Sequence, residues 1–165
     1  MKAFPSLVEQ LADWVMNGRC TVSDLEFYEQ YNQEYRPSDW MRKPIADEEF
    51  FTFVQDGAGG QYALHLAGDV DVDRAPVVKL GRDGEVAVLG RDLIDFAWLI
   101  ACGVEPIGVG DNGELRDPFE ASAPMQAWVR TLDASRTFGT AKETLQAAAA
   151  AHPGLVQHIR TMAET

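Results

Sequence analysis

Between residues 50 and 89 the apolar side chains fall in short strand-like runs broken by glycine turns, alternating over residues 61–66, and before and after that stretch they recur every three to four. This double change of period is what most limits the fold. A period of two buries one face of a strand, and a period near 3.6 buries one stripe of a helix. A chain that reads helical, then strand-like, then helical again is expected to be α+β. The expected fold has an antiparallel or mixed sheet of about four or more strands, with helices packed on one face and at both ends of the sequence.

Within the strand-like stretch, residues 50–54 are an aromatic and β-branched run, and residues 61–66 alternate. Tyr62, Leu64 and Leu66 fall on one face; Gln61, Ala63 and His65 fall on the other, which is expected to be exposed. Residues 76–80 and 85–89 supply two more strands. Asp56-Gly57-Ala58-Gly59-Gly60 and Arg82-Asp83-Gly84 separate them pairwise. Glycine takes the positive φ that tight hairpins need, so both segments read as turns of antiparallel hairpins, and the four strands as one meander.

Helical spacing covers residues 5–17, with Pro5 or Ser6 at the start and Gly18 at the end. A second helix is expected from Ser23, a capping residue with Glu26 three positions on, through Leu25, Phe27, Tyr28 and Tyr31. Pro37 and Pro44 argue against a continuous helix over residues 32–49, so that segment is read as an extended wrap pinned by Trp40. Residues 92–102, 118–132, 141–151 and 155–162 read as helices, and residues 104–117 as a Gly- and Asp-rich loop. The whole length, 1–165, is taken as a single domain.

Lys and Arg number 14 against 26 Asp and Glu, a net charge of −12, and no third of the chain is basic. A nucleic-acid or anionic-membrane binder is not expected with such a balance; a basic protein partner is. The most apolar stretch, residues 96–104, is far short of the ~20 residues a membrane span needs. Glu9, Gln10 and Asp13 interrupt any signal-peptide core, so a cytoplasmic location is expected. Cys20 and Cys102 form neither a disulfide framework nor a metal pair.

Candidate chemistry is sparse. His65, His152 and His158 have no metal-ligand spacing and read as surface residues. Asp69, Asp71 and Asp73 open like a calcium loop, but Arg74 and Leu80 stand where glycine and glutamate are needed. Residues 108–113 spell GxGxxG without the strand–helix context of a dinucleotide site. The carboxylate pairs Glu48–Glu49 and Asp92–Asp95 are expected by chance in so acidic a chain, and Asp92 suits a first helical turn. Trp14, Trp40, Trp98 and Trp128 read as core or anchor residues. No catalytic residue, metal or cofactor is therefore assigned. The acidic residues Asp69, Asp71, Asp73 and Glu85 are taken as the contact for a basic partner. A small-molecule site between the sheet and residues 105–117, using Asp111, Asn112 and His65, is the alternative.

Residues 50–104 carry an ordered set of features: Phe50-Phe51-Thr52-Phe53, the turn Asp56-Gly57-Ala58-Gly59-Gly60 leading to Tyr62, the strand Ala75-Pro76-Val77-Val78-Lys79-Leu80-Gly81, and the helix with Phe96 and Trp98. This set resembles the SUKH superfamily, the Smi/Knr-type group of cell-wall regulators and bacterial immunity proteins. Arg36-Pro37-Ser38-Asp39-Trp40 is a loose counterpart of that family's entry segment, and residues 105–165 have none. The resemblance implies an α+β fold in which Asp56, Gly57, Gly59, Gly60, Tyr62, Pro76, Gly81, Phe96 and Trp98 are structural. It further implies a non-enzymatic protein-binding role, either immunity against a cognate toxin or, as in the fungal members, a regulatory scaffold.

Overall fold

The computed structural model describes residues 4–28, 35–68 and 70–164. Among them are seven helices and five strands, in the order α1 (Ser6–Met16), β1 (Leu25–Phe27), α2 (Pro37–Met41), α3 (Ala46–Glu49), β2 (Phe50–Asp56), β3 (Gln61–His65), β4 (Val77–Leu80), β5 (Val86–Gly90), α4 (Leu93–Ala101), α5 (Ala123–Leu132), α6 (Ala141–Ala151) and α7 (Leu155–Glu164). The strands form one sheet in sequence order, every neighbouring pair antiparallel. The fold is thus α+β, and the four-strand meander read from the alternation is there with β1 added along β2.

The helices cover both faces of the sheet, where the sequence reading put them on one. On one side Leu25, Phe27, Phe51, Phe53, Tyr62, Leu64 and Leu89 pack with residues of α1, α4 and α5. On the other, Phe50, Ala63, Val78, Leu80, Val86 and Val88 pack with Met41, Ala46, Leu155 and Ile159 from α2, α3 and α7. Helix α6 contributes to both: Ala141 and Leu145 join the first cluster and Ala148 the second, so it wraps the β5 edge. That covering also shields an edge that would otherwise offer unpaired backbone groups. The sequence missed the second layer because Ala63 and His65 are too small or too polar to announce a buried face.

Three local expectations change. The helix expected from Ser23 is instead strand β1, buried–exposed–buried over Leu25, Glu26 and Phe27. Leu25 and Phe27 alternate onto the core, and Ser23 N donates to Glu105 Oε1 (3.4 Å) rather than to a helical carbonyl. Residues 29–34, with Tyr31, lie outside the described residues. The wrap over residues 35–49 is two short helices, not extended chain. Pro37 starts α2, where its preset φ suits the first turn, and Asp39 closes that turn by accepting from Arg36 N at 2.9 Å. Trp40 does pin the segment, donating through Nε1 to Gly81 O at 2.7 Å. The helix expected from residue 118 begins five residues later, at Ala123. Residues 119 and 122 spend their amides on the end of α4, Phe119 N on Gly103 O (2.8 Å) and Ser122 N on Ala101 O (2.9 Å). The Ser122 hydroxyl then caps α5.

None of the helices among the described residues is long and apolar enough to cross a membrane.

Candidate functional site

Antiparallel order brings both hairpin turns, the start of β1 and the loop after α4 to one end of the sheet. Leu25 opposite Asp56 sets Asp24 beside the first turn, so close that a Cβ on Gly57 would meet the Asp24 carboxylate. At the second turn Val86 N donates to Asp111 Oδ1 at 2.9 Å, which anchors the loop after α4. Lys79 fixes that loop from beneath. Its Nζ donates to the carbonyls of Pro106 (3.0 Å), Ile107 (2.9 Å) and Val109 (2.6 Å). The side chain is 2% exposed, and burial pushes its pKa down.

Held on this base, two apolar side chains stand out into solvent, Phe119 (60% exposed) and Ile107 (39%). Phe119 lines a small cleft with Glu105, Arg116 and Asp117. Thr21 Oγ1 donates to Glu120 O at 2.6 Å, which brings the start of β1 alongside. Of the charges beside it, Glu105 and Asp117 in the cleft and Glu120 next in sequence are negative and Arg116 is positive, and Asp24 lies near Glu105. Burial raises the Glu105 pKa and the nearby Asp24 charge adds to it, while the Ser23 amide pulls the other way. Glu105 Oε2 is buried with no hydrogen-bond partner among the described residues.

Of the residues read from sequence as the acidic contact, Asp71 and Asp73 lie at one end of the sheet and Glu85 at the other. Asp69 lies outside the described residues. Asp71 caps a 3-10 turn over Val72–Arg74 by accepting from Asp73 N at 3.0 Å, and both side chains are exposed just before β4. Glu85 follows β4 at the opposite end, where its Oε2 accepts from Asp83 N at 3.1 Å and its side chain fills the space beside Gly81. Glu85 therefore shapes the second turn.

The motif residues have structural contacts. Asp56 Oδ1 accepts from Ala58 N and Gly60 N, both at 2.9 Å, and Oδ2 accepts from the Tyr62 hydroxyl at 2.6 Å. Gly59 has φ +96°. Pro76 O accepts from His65 N at 3.0 Å. Phe96 meets Phe53 edge-on at 5.4 Å, and Trp98 Nε1 donates to Gly139 O at 2.9 Å. Asp92 and Asp95, the first helical turn of α4, hold Arg136 through contacts of 2.5–3.0 Å, and this network raises the Arg136 pKa.

One cluster was missed by the sequence reading. Glu49, the last residue of α3, His65, the last of β3, and His158 in α7 converge. Glu49 Oε2 lies 3.3 Å from His65 Nε2 and 2.7 Å from His158 Nε2. His65 is not on an exposed face: its side chain is 16% exposed and stacks on Phe50 at 4.6 Å. Burial lowers the His65 pKa although Glu49 opposes it. Burial alone would raise the Glu49 carboxyl, but hydrogen bonds from His158 and His65 outweigh it and leave the pKa lowered. Positions 49, 65 and 158 share no motif spacing, so only tertiary packing of α7 on the sheet assembles them.

The alternative small-molecule site is partly assembled. Asp111 and Asn112 line a groove of about 560 Å³ with Lys142, Leu145 and Gln146 of α6, and His65 is not among its lining residues. Asp111 is already engaged there by Arg160, whose hydrogen bond lowers its pKa. Compared with protein-family models, with curated proteins and with solved structures, the chain finds no match in any of the three.

Proposed function

We propose that the chain is a protein-binding module whose contact surface is the turn end of the sheet. The observation that carries this reading is Phe119, 60% exposed, with its amide held by Gly103 O at 2.8 Å, beside Glu105 and Asp117 and next in sequence to Glu120. Exposed aromatic side chains on a fixed backbone are the residues that bury most productively at interfaces, because little ordering entropy is lost on binding. The acidic rim steers a basic partner. The resemblance of residues 50–104 to SUKH proteins supports a further step: the partner is a toxin domain, and the chain neutralises it in the cytoplasm. Its non-enzymatic character follows from that same reading.

The test is binding kinetics against the product of the adjacent gene. Asp117→Lys with Glu120→Lys is expected to slow association about tenfold at low salt, and Phe119→Ala to speed dissociation by a similar factor. Association and dissociation rates that are indifferent to all three changes overturn the surface, and no complex with any basic neighbour overturns the immunity role. A stable complex with a partner that is not a toxin leaves the regulatory scaffold as the reading.

A further inference from the structure

We propose that Glu49, His65 and His158 form a binding site for a divalent transition-metal ion of the zinc class, one that ties α7 to the sheet. The donor atoms of all three lie within 4.8 Å of one another. Two imidazole nitrogens and one carboxylate oxygen are a donor set suited to Zn²⁺, with water as a fourth ligand. Donors around a tetrahedral zinc at about 2.0–2.1 Å stand roughly 3.3 Å apart. The Glu49–His65 separation is 3.3 Å already. The Glu49–His158 separation, 2.7 Å, is that of a hydrogen bond and has to open slightly. His158 is the side chain able to do so, being 46% exposed at the rim.

The rest of the site is preorganised. Phe50 pairs with His65 in the β2–β3 register and stacks on its ring, which fixes the imidazole plane. Leu66 N donates to Glu49 O at 2.6 Å, locking the end of α3 to the end of β3. His158 enters from a helix seated by Leu155 and Ile159. Glu49 and His158 are 28% and 46% exposed, so solvent reaches the site to supply the water ligand. The ion would link positions 49, 65 and 158, drawn from three separate elements, so its binding energy adds to the stability of the folded chain.

The experiment is titration of tag-free protein with Zn²⁺ alone, followed by calorimetry and thermal unfolding, with Co²⁺ as a spectroscopic probe. One ion per chain is expected, and a rise in Tm of roughly 5–10 °C at a hundredfold excess over Kd. Co²⁺ should give the visible bands of a four- or five-coordinate nitrogen–oxygen site. His158→Ala removes an exposed side chain and should fold normally; with Glu49→Ala as the second variant, each is expected to weaken binding about a hundredfold or more. Absence of binding at 100-micromolar-scale Zn²⁺ (about 10⁻⁴ M) overturns the site. So does binding that neither variant weakens, or a cobalt spectrum dominated by sulfur charge transfer, which would point to Cys20 or Cys102.

Discussion

The Tyr62 hydroxyl donates a 2.6 Å hydrogen bond to Asp56 Oδ2, and the two residues are 0% and 5% exposed. Both strands of the β2–β3 hairpin are tied by it beside their turn. Asp56 uses its other oxygen to hold the amides of Ala58 and Gly60, so the same carboxylate sets the turn and receives the phenol. Burial and the Asp56 contact raise the Tyr62 pKa far above its usual range, so the phenol remains a donor at every ordinary pH.

Tyr62→Phe therefore leaves a buried carboxylate oxygen short of a partner. The expected cost is about 1–3 kcal/mol, seen as a lower urea midpoint with an unchanged m-value. An unaltered midpoint would mean that water reaches Asp56 and that the hairpin is looser than the geometry indicates.

Gly103 ends α4 with φ +83°, and a Cβ there would run into the Phe119 carbonyl and come within 2.8 Å of Glu120 O. These are backbone atoms and cannot rotate away. Gly103→Ala is expected to cost more than about 2 kcal/mol, combining left-handed strain with displacement of residues 119–120. Because that displacement moves Phe119, partner binding should weaken together with stability. Loss of stability with full binding would separate Phe119 from the contact surface.

Much of the sheet could be read from sequence, because a strand with one buried face shows its period without help from the rest of the chain. Residues 61–66 and the glycine turns placed β2 to β5 correctly. What could not be read depends on distant partners. Leu25 and Phe27 suit a short helix or a strand equally, and only the open edge of β2 makes them a strand. Pro37 forbids a helix interior but begins a helix well, and proline alone does not say which. The candidate surface divides the same way. Surplus negative charge was visible, but its focus around Phe119 comes from the return of residues 118–122 to α4 and from Lys79 beneath the loop. His65 reads as an outward polar residue until α7 closes over that face.

Arg136 carries the junction between α5 and α6. Its guanidinium is 16% exposed and contacts Asp92, Asp95 and Asp133, while Arg91 shares Asp95. Asp95 is 1% exposed, so removing Arg136 strips a buried carboxylate of one of its two cations. Arg136→Ala is expected to cost roughly 3 kcal/mol and lower Tm by about 6–12 °C. Arg136→Lys should recover only part, since one ammonium cannot span two carboxylates. Full recovery by lysine would show that charge alone, without the planar fork, holds the junction.

Glu105 makes the opposite prediction, a substitution that stabilises. Its folded pKa is raised above 4.5 by burial first and then by Asp24, so the folded chain holds this proton more tightly than the unfolded chain does. Stability from this group is present below pH 4.5 and is lost as pH rises through the folded pKa. Glu105→Gln keeps an oxygen to accept from Ser23 N and removes the charge beside Asp24. The variant is expected to be more stable than the parent at pH 7, by less than about 1 kcal/mol for so partly solvated a group, and equal to it at pH 4. Urea unfolding at the two pH values checks the sign. A gain that persists at pH 4 would assign the effect to packing instead of charge. If Glu105 belongs to the acidic rim, the same variant should bind its partner more slowly at low salt, so that stability and association move in opposite directions.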